Sequence, residues 1–141
     1  MRLVLDTSVL VAAIRSPLGA SRALLDAALC GRVEILISTA LVLEYEAVLT
    51  RFEHLRVSEF SLEEVEALLD AICGEGTEVP IRWKWRPQLL DPDDEMVLEI
   101  AINGGADAIV TFNRADFVHA AIDFGLKVLS PKEAMEMVVT L

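Results

Sequence analysis

Arg2-Leu3-Val4-Leu5-Asp6-Thr7-Ser8 opens the chain with an apolar triplet that runs straight into three oxygen-bearing side chains. A short run that is apolar on consecutive residues, rather than alternate ones, reads as a strand buried on both faces and followed by a polar turn. Working outward from it, comparable core strands are expected at Val33 to Ile37, Ala108 to Val110 and Leu126 to Leu129. Apolar positions at helical spacing fill the intervals. A helix follows Asp6 and is broken by Ser16-Pro17-Leu18-Gly19, and Ala20 to Leu29 forms another that Gly31 stops. Ser38 or Thr39 caps the next, whose Leu41, Tyr45, Val48 and Leu49 carry it toward Arg51. Ser61-Leu62-Glu63-Glu64 is a capping box that opens a helix running to Gly74, and Val79 to Arg86 reads as extended. Asp91-Pro92-Asp93-Asp94 starts a helix that ends at Gly104-Gly105. A short helix over Ala115 to Phe124 and a last one from Pro131 complete the pattern. Strands alternating with helices predict an α/β fold, a parallel sheet covered on both faces.

The 141 residues match one ordinary domain, and 54% hydrophobic content excludes disorder and fibrous repeats. Such a chain buries a core without disulfides or structural metal. Cys30 and Cys73 have no zinc-site spacing, and the apolar start is interrupted at Asp6, so a soluble cytoplasmic protein with no membrane partner is expected. Net charge is −11, and residues 51 to 100 alone hold 13 Asp and Glu against 5 Lys and Arg. A polyanion is repelled by that segment unless cations or local basic patches intervene.

Four acids stand where a helix cap or a solvated face does not fully account for them. Asp6 directly follows the first strand, at the carboxyl edge where open parallel sheets bind ligands, and Thr7 and Ser8 can support it. The plainer reading is that Asp6 only caps the next helix. Glu44 lies among Leu41, Tyr45 and Val48, in the apolar stripe of its helix. It must snorkel, pair with a base such as Arg22 or Arg51, protonate, or face a cation. Asp94 precedes Val97, Leu98 and Ala101 on the buried face of its helix, whereas Asp91 is a good cap and neither it nor Asp93 faces inward. Asp116 lies just beyond the Ala108 to Val110 strand. Four acids from four segments converging on one edge repel one another unless a divalent cation sits among them, and oxygen-only ligands point to Mg2+ or Mn2+. Phosphodiester hydrolysis is the natural chemistry for that cluster.

At this point the chain resembles a PIN domain, specifically the stand-alone VapC-like toxins of toxin-antitoxin systems. The resemblance rests on Leu3-Val4-Leu5-Asp6-Thr7-Ser8, Ser16-Pro17-Leu18-Gly19, Ser38-x-x-Leu41-x-x-Glu44, Asp91-Pro92-Asp93-Asp94, and Gly104-Gly105-Ala106-Asp107-Ala108-Ile109-Val110-Thr111 leading to Asp116-Phe117. It extends over nearly the whole chain, so residues 1–141 are read as one PIN domain. It implies a three-layer α/β/α sandwich around a parallel sheet, and a Mg2+- or Mn2+-dependent endoribonuclease site matched by Asp6, Glu44, Asp94 and Asp116. Thr111 matches a residue that helps to position water or metal, with Thr7, Ser8 and Ser38 in supporting positions. The family often has Asp where Asn113 stands, and Asn removes one charge from the site. The family also implies a homodimer and a neutralising antitoxin.

Arg82-Trp83-Lys84-Trp85-Arg86 interleaves cations with aromatics. If extended, it puts Trp83 and Trp85 on one face and the cations on the other, an arrangement that suits single-stranded RNA or, equally, an edge strand with two buried Trp. Arg15, Arg51 and Arg114 are further candidate phosphate contacts. A receiver-type phosphotransfer domain fits the length but needs paired acids after the first strand, whereas Val4-Leu5 precede Asp6, and a lysine beyond a late strand, whereas Lys127 lies inside one. The remaining alternative is a catalytically weak or inactive PIN module that binds RNA or a protein, with Asn113 as its main support.

Overall fold

The computed structural model describes residues 1–82 and 91–140. Strand β1 (Arg2–Leu5) is followed by α1 (Thr7–Arg15) and α2 (Ala20–Leu29), and β2 (Glu34–Ile37) by α3 (Thr39–Leu49), α4 (Phe52–Val57) and α5 (Leu62–Glu75). Then come β3 (Thr77–Glu78), α6 (Pro92–Gly104), β4 (Ala108–Val110), one 3-10 turn (Arg114–Asp116), α7 (Val118–Asp123), β5 (Lys127–Leu129) and α8 (Pro131–Val139). All pairings are parallel, in the order β3-β2-β1-β4-β5. Successive strand residues face opposite sides, yet Leu3, Val4 and Leu5 are all buried, as are Ala108, Ile109 and Val110. Both faces of the sheet are therefore covered by helices, which makes the fold the expected α/β/α sandwich. No helix among the described residues is long and apolar enough to cross a membrane.

Capping chemistry sets the helix boundaries. Ser61 and Glu64 form the expected reciprocal box at α5, and Ser130 with Glu133 forms another at α8. At α6 the Asp91 carboxylate accepts the Asp93 N–H at 2.9 Å with Pro92 in the first turn, while Gly105 closes the helix at φ +62°, a left-handed geometry that favours glycine.

Three features depart from the expectations. The first strand after α5 is only Thr77–Glu78, two residues before the stretch expected to be extended; Val79 N–H then adds one more bond to Ile37 O at 2.9 Å. A two-residue edge strand carries no periodicity to read. Helix α4 buries none of its residues, with Phe52 and Val57 exposed, so it shows no apolar stripe. The helix expected over Ala115 to Phe124 is a 3-10 turn and a separate α7, split at Phe117, whose ring is fully buried. Of the aromatic and basic stretch, Trp83, Lys84, Trp85 and Arg86 lie outside the described residues, and Arg82 is exposed with its N–H donating to Asn103 Oδ1 at 2.9 Å.

From β1 the chain moves outward to β2 and β3, then returns to place β4 on the other side of β1. The strand order thus reverses between β1 and β4, and Asp6 and Thr111 end those two strands at that crevice. Phe117 anchors the turn beyond β4, whereas Phe112 in the same turn is 56% exposed. In urea unfolding, Phe117→Ala is expected to cost about 3 to 5 kcal/mol, and Phe112→Ala less than about 0.5 kcal/mol.

Candidate functional site

Asp6 is only 7% exposed and adopts the extended backbone of a helix N-cap, but its side chain accepts no helix N–H. The carboxyl is held instead by two hydroxyls. Ser8 Oγ donates to Asp6 Oδ2 at 2.7 Å and Thr111 Oγ1 donates to the same oxygen at 2.8 Å. The simple capping explanation for Asp6 therefore fails, and the acid is fixed across the switch point by a residue 105 positions away. Thr111 is fully buried, and its Oγ1 also accepts the Asn113 N–H at 2.9 Å. Ser8 Oγ accepts the Phe112 N–H at 3.3 Å, which ties the turn after β4 to the start of α1.

Helix α3 brings Glu44 to the same edge. Ser38 caps it by accepting the Leu41 N–H at 3.1 Å, and the buried Tyr45 hydroxyl donates to Leu5 O at 2.5 Å, next to Asp6. Burial, and secondarily the nearby Asp6 carboxylate, push the Tyr45 phenol far above its usual range, so it stays a neutral donor. Reading Tyr45 only as an apolar position misses this strut; the signal available is that a buried tyrosine hydroxyl needs a partner. Glu44 itself is half-buried and raised above its ordinary value, first by loss of water and then by the Asp93 carboxyl, with which it shares a hydrogen-bonding contact; Asp91 adds to this and Arg51 opposes it. Arg22, the other base considered for Glu44, pairs with Asp26 at 3.6 Å and lies over the Phe60 ring.

Asp94 is half-buried and pushed up to about 7 by partial burial, then by Asp6, Asp91, Asp116 and Asp93 in that order. Its carboxyl therefore senses acids from β1, from its own helix and from the turn beyond β4. Asp116 is exposed on that turn. Asp93 is exposed as expected, yet it contacts Glu44 and its charge also raises Asp94, a role its surface position on the helix did not announce.

The arrangement is thus two linked groups, Asp6 with Asp94 and Asp116, and Glu44 with Asp93. Among the described residues no three acidic, His or Cys side chains are gathered into a ready-made ion-holding group. The donor set nonetheless fits a hard cation. Its donors are all oxygen, and the rise of Glu44 and Asp94, due first to burial, is added to by neighbouring carboxylates whose repulsion positive charge relieves. Thr7 and Asn113 flank the edge, Asn113 exposed. Of the candidate phosphate contacts, Arg114 is drawn to Glu133 at 2.9 Å, and Arg15 ends α1, roughly 12 Å along the helix from Thr7.

A PIN domain family model matches residues 2–115, a span that includes Asp6, Glu44, Asp94, Thr111 and Asn113 and stops one residue short of Asp116. Among solved structures, the chain is similar to a chain of VapBC2 from Rickettsia felis, crystallised bound to a DNA fragment from the VapBC2 promoter. The TM-score is 0.60 at 17% identity, over 92% of this chain and 98% of that one. None of the curated proteins matches.

The elevated Asp94 carboxyl has a measurable consequence. A carboxyl raised on folding stabilises the fold fully below its unfolded value, near 4, and that contribution is lost as pH rises through about 7. The melting temperature of the metal-free protein is therefore expected to fall between about pH 4 and pH 7, with Asp94→Asn flattening the fall. Mg2+ or Mn2+ added at the upper pH is expected to restore it.

Proposed function

As the chain belongs to the PIN-domain family, we propose that it is a metal-dependent endoribonuclease that hydrolyses RNA phosphodiester bonds, the VapC-like toxin component of a toxin-antitoxin system. The observation that carries this reading is the buried Asp6, fixed at the switch point by Ser8 and Thr111 and close enough to Asp94, as Asp116 also is, for its charge to raise that carboxyl. Asp6, Glu44, Asp94 and Asp116 would hold Mg2+ or Mn2+, which when bound lowers the pKa of an attacking water and offsets charge on the leaving oxygen.

The protein groups do the rest. The two hydroxyls on Asp6 Oδ2 fix the orientation of its carboxyl before substrate arrives, so little reorganisation is required during reaction. Glu44, whose affinity for a proton is raised by burial and by Asp93, is suited to take a proton from water at its carboxyl oxygen. Thr111 keeps its own proton directed at Asp6. The fold similarity to a chain of a VapBC complex supports a protein partner, which we read as an antitoxin. A cytoplasmic homodimer belongs to the same reading.

Single-stranded and structured RNAs incubated with Mg2+, Mn2+ or EDTA test the proposal. Cleavage is expected with metal, to vanish in EDTA, and to fall at least about 100-fold in Asp6→Asn. Activity that survives Asp6→Asn argues against this site. A folded wild type that cleaves nothing with either metal favours the binding-module reading, which the uncharged Asn113 supports. Asn113→Asp is expected to lower the metal concentration needed for half-maximal cleavage.

A further inference from the structure

Phe112 follows Thr111 on the turn beyond β4, and its ring is 56% exposed. A lone exposed apolar side chain is ordinary. The backbone of this one is not, because its N–H donates to Ser8 Oγ at 3.3 Å and the next N–H, of Asn113, donates to Thr111 Oγ1 at 2.9 Å. Those are the two hydroxyls that donate to Asp6 Oδ2. The same short network that orients the central acid thus fixes the backbone that carries an aromatic ring held out into solvent.

The charge around the turn narrows what such a ring can do. Asp94 and Asp116 repel phosphates at this edge, and Arg114, two residues beyond Phe112, is committed to Glu133 at 2.9 Å. Glu133 is kept below the usual carboxylate range by hydrogen bonds at Ser130 and then by Arg114, so it stands ionised opposite the guanidinium. A neutral aromatic face holds a base without drawing on charge, and every base has a π-face to offer.

We propose that Phe112 is a positioning residue on which one unpaired base of a single-stranded RNA stacks, setting the neighbouring phosphodiester against Asp6 and Asp94. This rests on the ribonuclease reading above. Stacking makes the contribution one of binding, largely independent of salt, and tolerant of base identity.

Two measurements test it. In steady-state cleavage of a single-stranded oligoribonucleotide, Phe112→Ala is expected to raise KM roughly tenfold while kcat stays within about twofold. Phe112→Trp is expected to restore KM, and the KM ratio should hold as salt is varied. In parallel, the same oligoribonucleotide carrying 2-aminopurine at successive positions is titrated with protein in Ca2+. Fluorescence at one position is expected to be quenched by the wild type and by Phe112→Trp, but not by Phe112→Ala. If the wild type cleaves RNA and Phe112→Ala leaves KM and the quench unchanged, the proposal is overturned and a protein partner is the better occupant of the ring. If the wild type cleaves no RNA, the ribonuclease reading fails by itself. The quench then decides Phe112 alone: its loss in Phe112→Ala supports the stacking platform, and its absence in the wild type or survival in Phe112→Ala overturns it.

Discussion

The carboxyl edge depends on one buried acid and the two hydroxyls that donate to it. Burying a carboxyl without partners is costly, and Ser8 and Thr111 offset that cost from two directions. Their positions are not adjustable, because Asp6 N–H continues the sheet ladder to Val110 O at 2.9 Å, so the register of β1 on β4 places the acid beside its threonine. Tyr45 extends the constraint to α3 by bonding Leu5 O, one residue before Asp6, which places Glu44 at the same edge. Sheet register and a single phenol thus locate two acids that are far apart in sequence.

The assembled edge is electrostatically strained, and the fold offsets only part of the strain. Asp91, Asp93 and Asp94 occupy the start of α6, where the positive end of the helix dipole favours negative charge and Asp91 also serves as the cap. That accounts for an acidic first turn as a matter of stability. It does not cancel the loss of water and, after it, the repulsion by neighbouring acids that push Asp94 up to about 7. A functional site that lowers stability until opposite charge offsets it is a common trade between folding and activity.

Most of the architecture was legible in the sequence because it rests on local rules. Leu3-Val4-Leu5 and Ala108-Ile109-Val110 are buried on both faces, and the Ser61 and Asp91 caps stand where their residue types require. What was not legible depends on partners remote in sequence. The Thr77–Glu78 strand exists only because β2 lies beside it, with Leu36 opposite Thr77. Helix α4 fully buries none of its residues, with Leu55 alone of its apolar side chains packing partly on the core, and the break at Phe117 follows from the anchoring of its ring. At the site, Asp6, Glu44, Asp94 and Asp116 stood out by position relative to strands and apolar stripes. Asp93 did not, since its contact with Glu44 depends on how α3 meets α6, a relation no spacing encodes.

The acidity of the chain then takes on a different meaning. Much of the excess in residues 51 to 100 lies on the solvent face of α5, where Glu63, Glu64, Glu66 and Asp70 are exposed, rather than at the edge that holds the candidate site. On the turn beyond β4 the charges are nearly balanced: Arg114 is matched by Glu133, while Phe112 and Asn113 are neutral. Asp116 brings a charge with no ion-pair partner among the described residues from that turn into the field of Asp94. An Asp at position 113 would add a second, strengthening the hold on a cation but also the repulsion of an approaching phosphate. On the proposed reading, Asn113 would trade metal affinity for a smaller repulsion of phosphate on the turn that presents the exposed Phe112 ring.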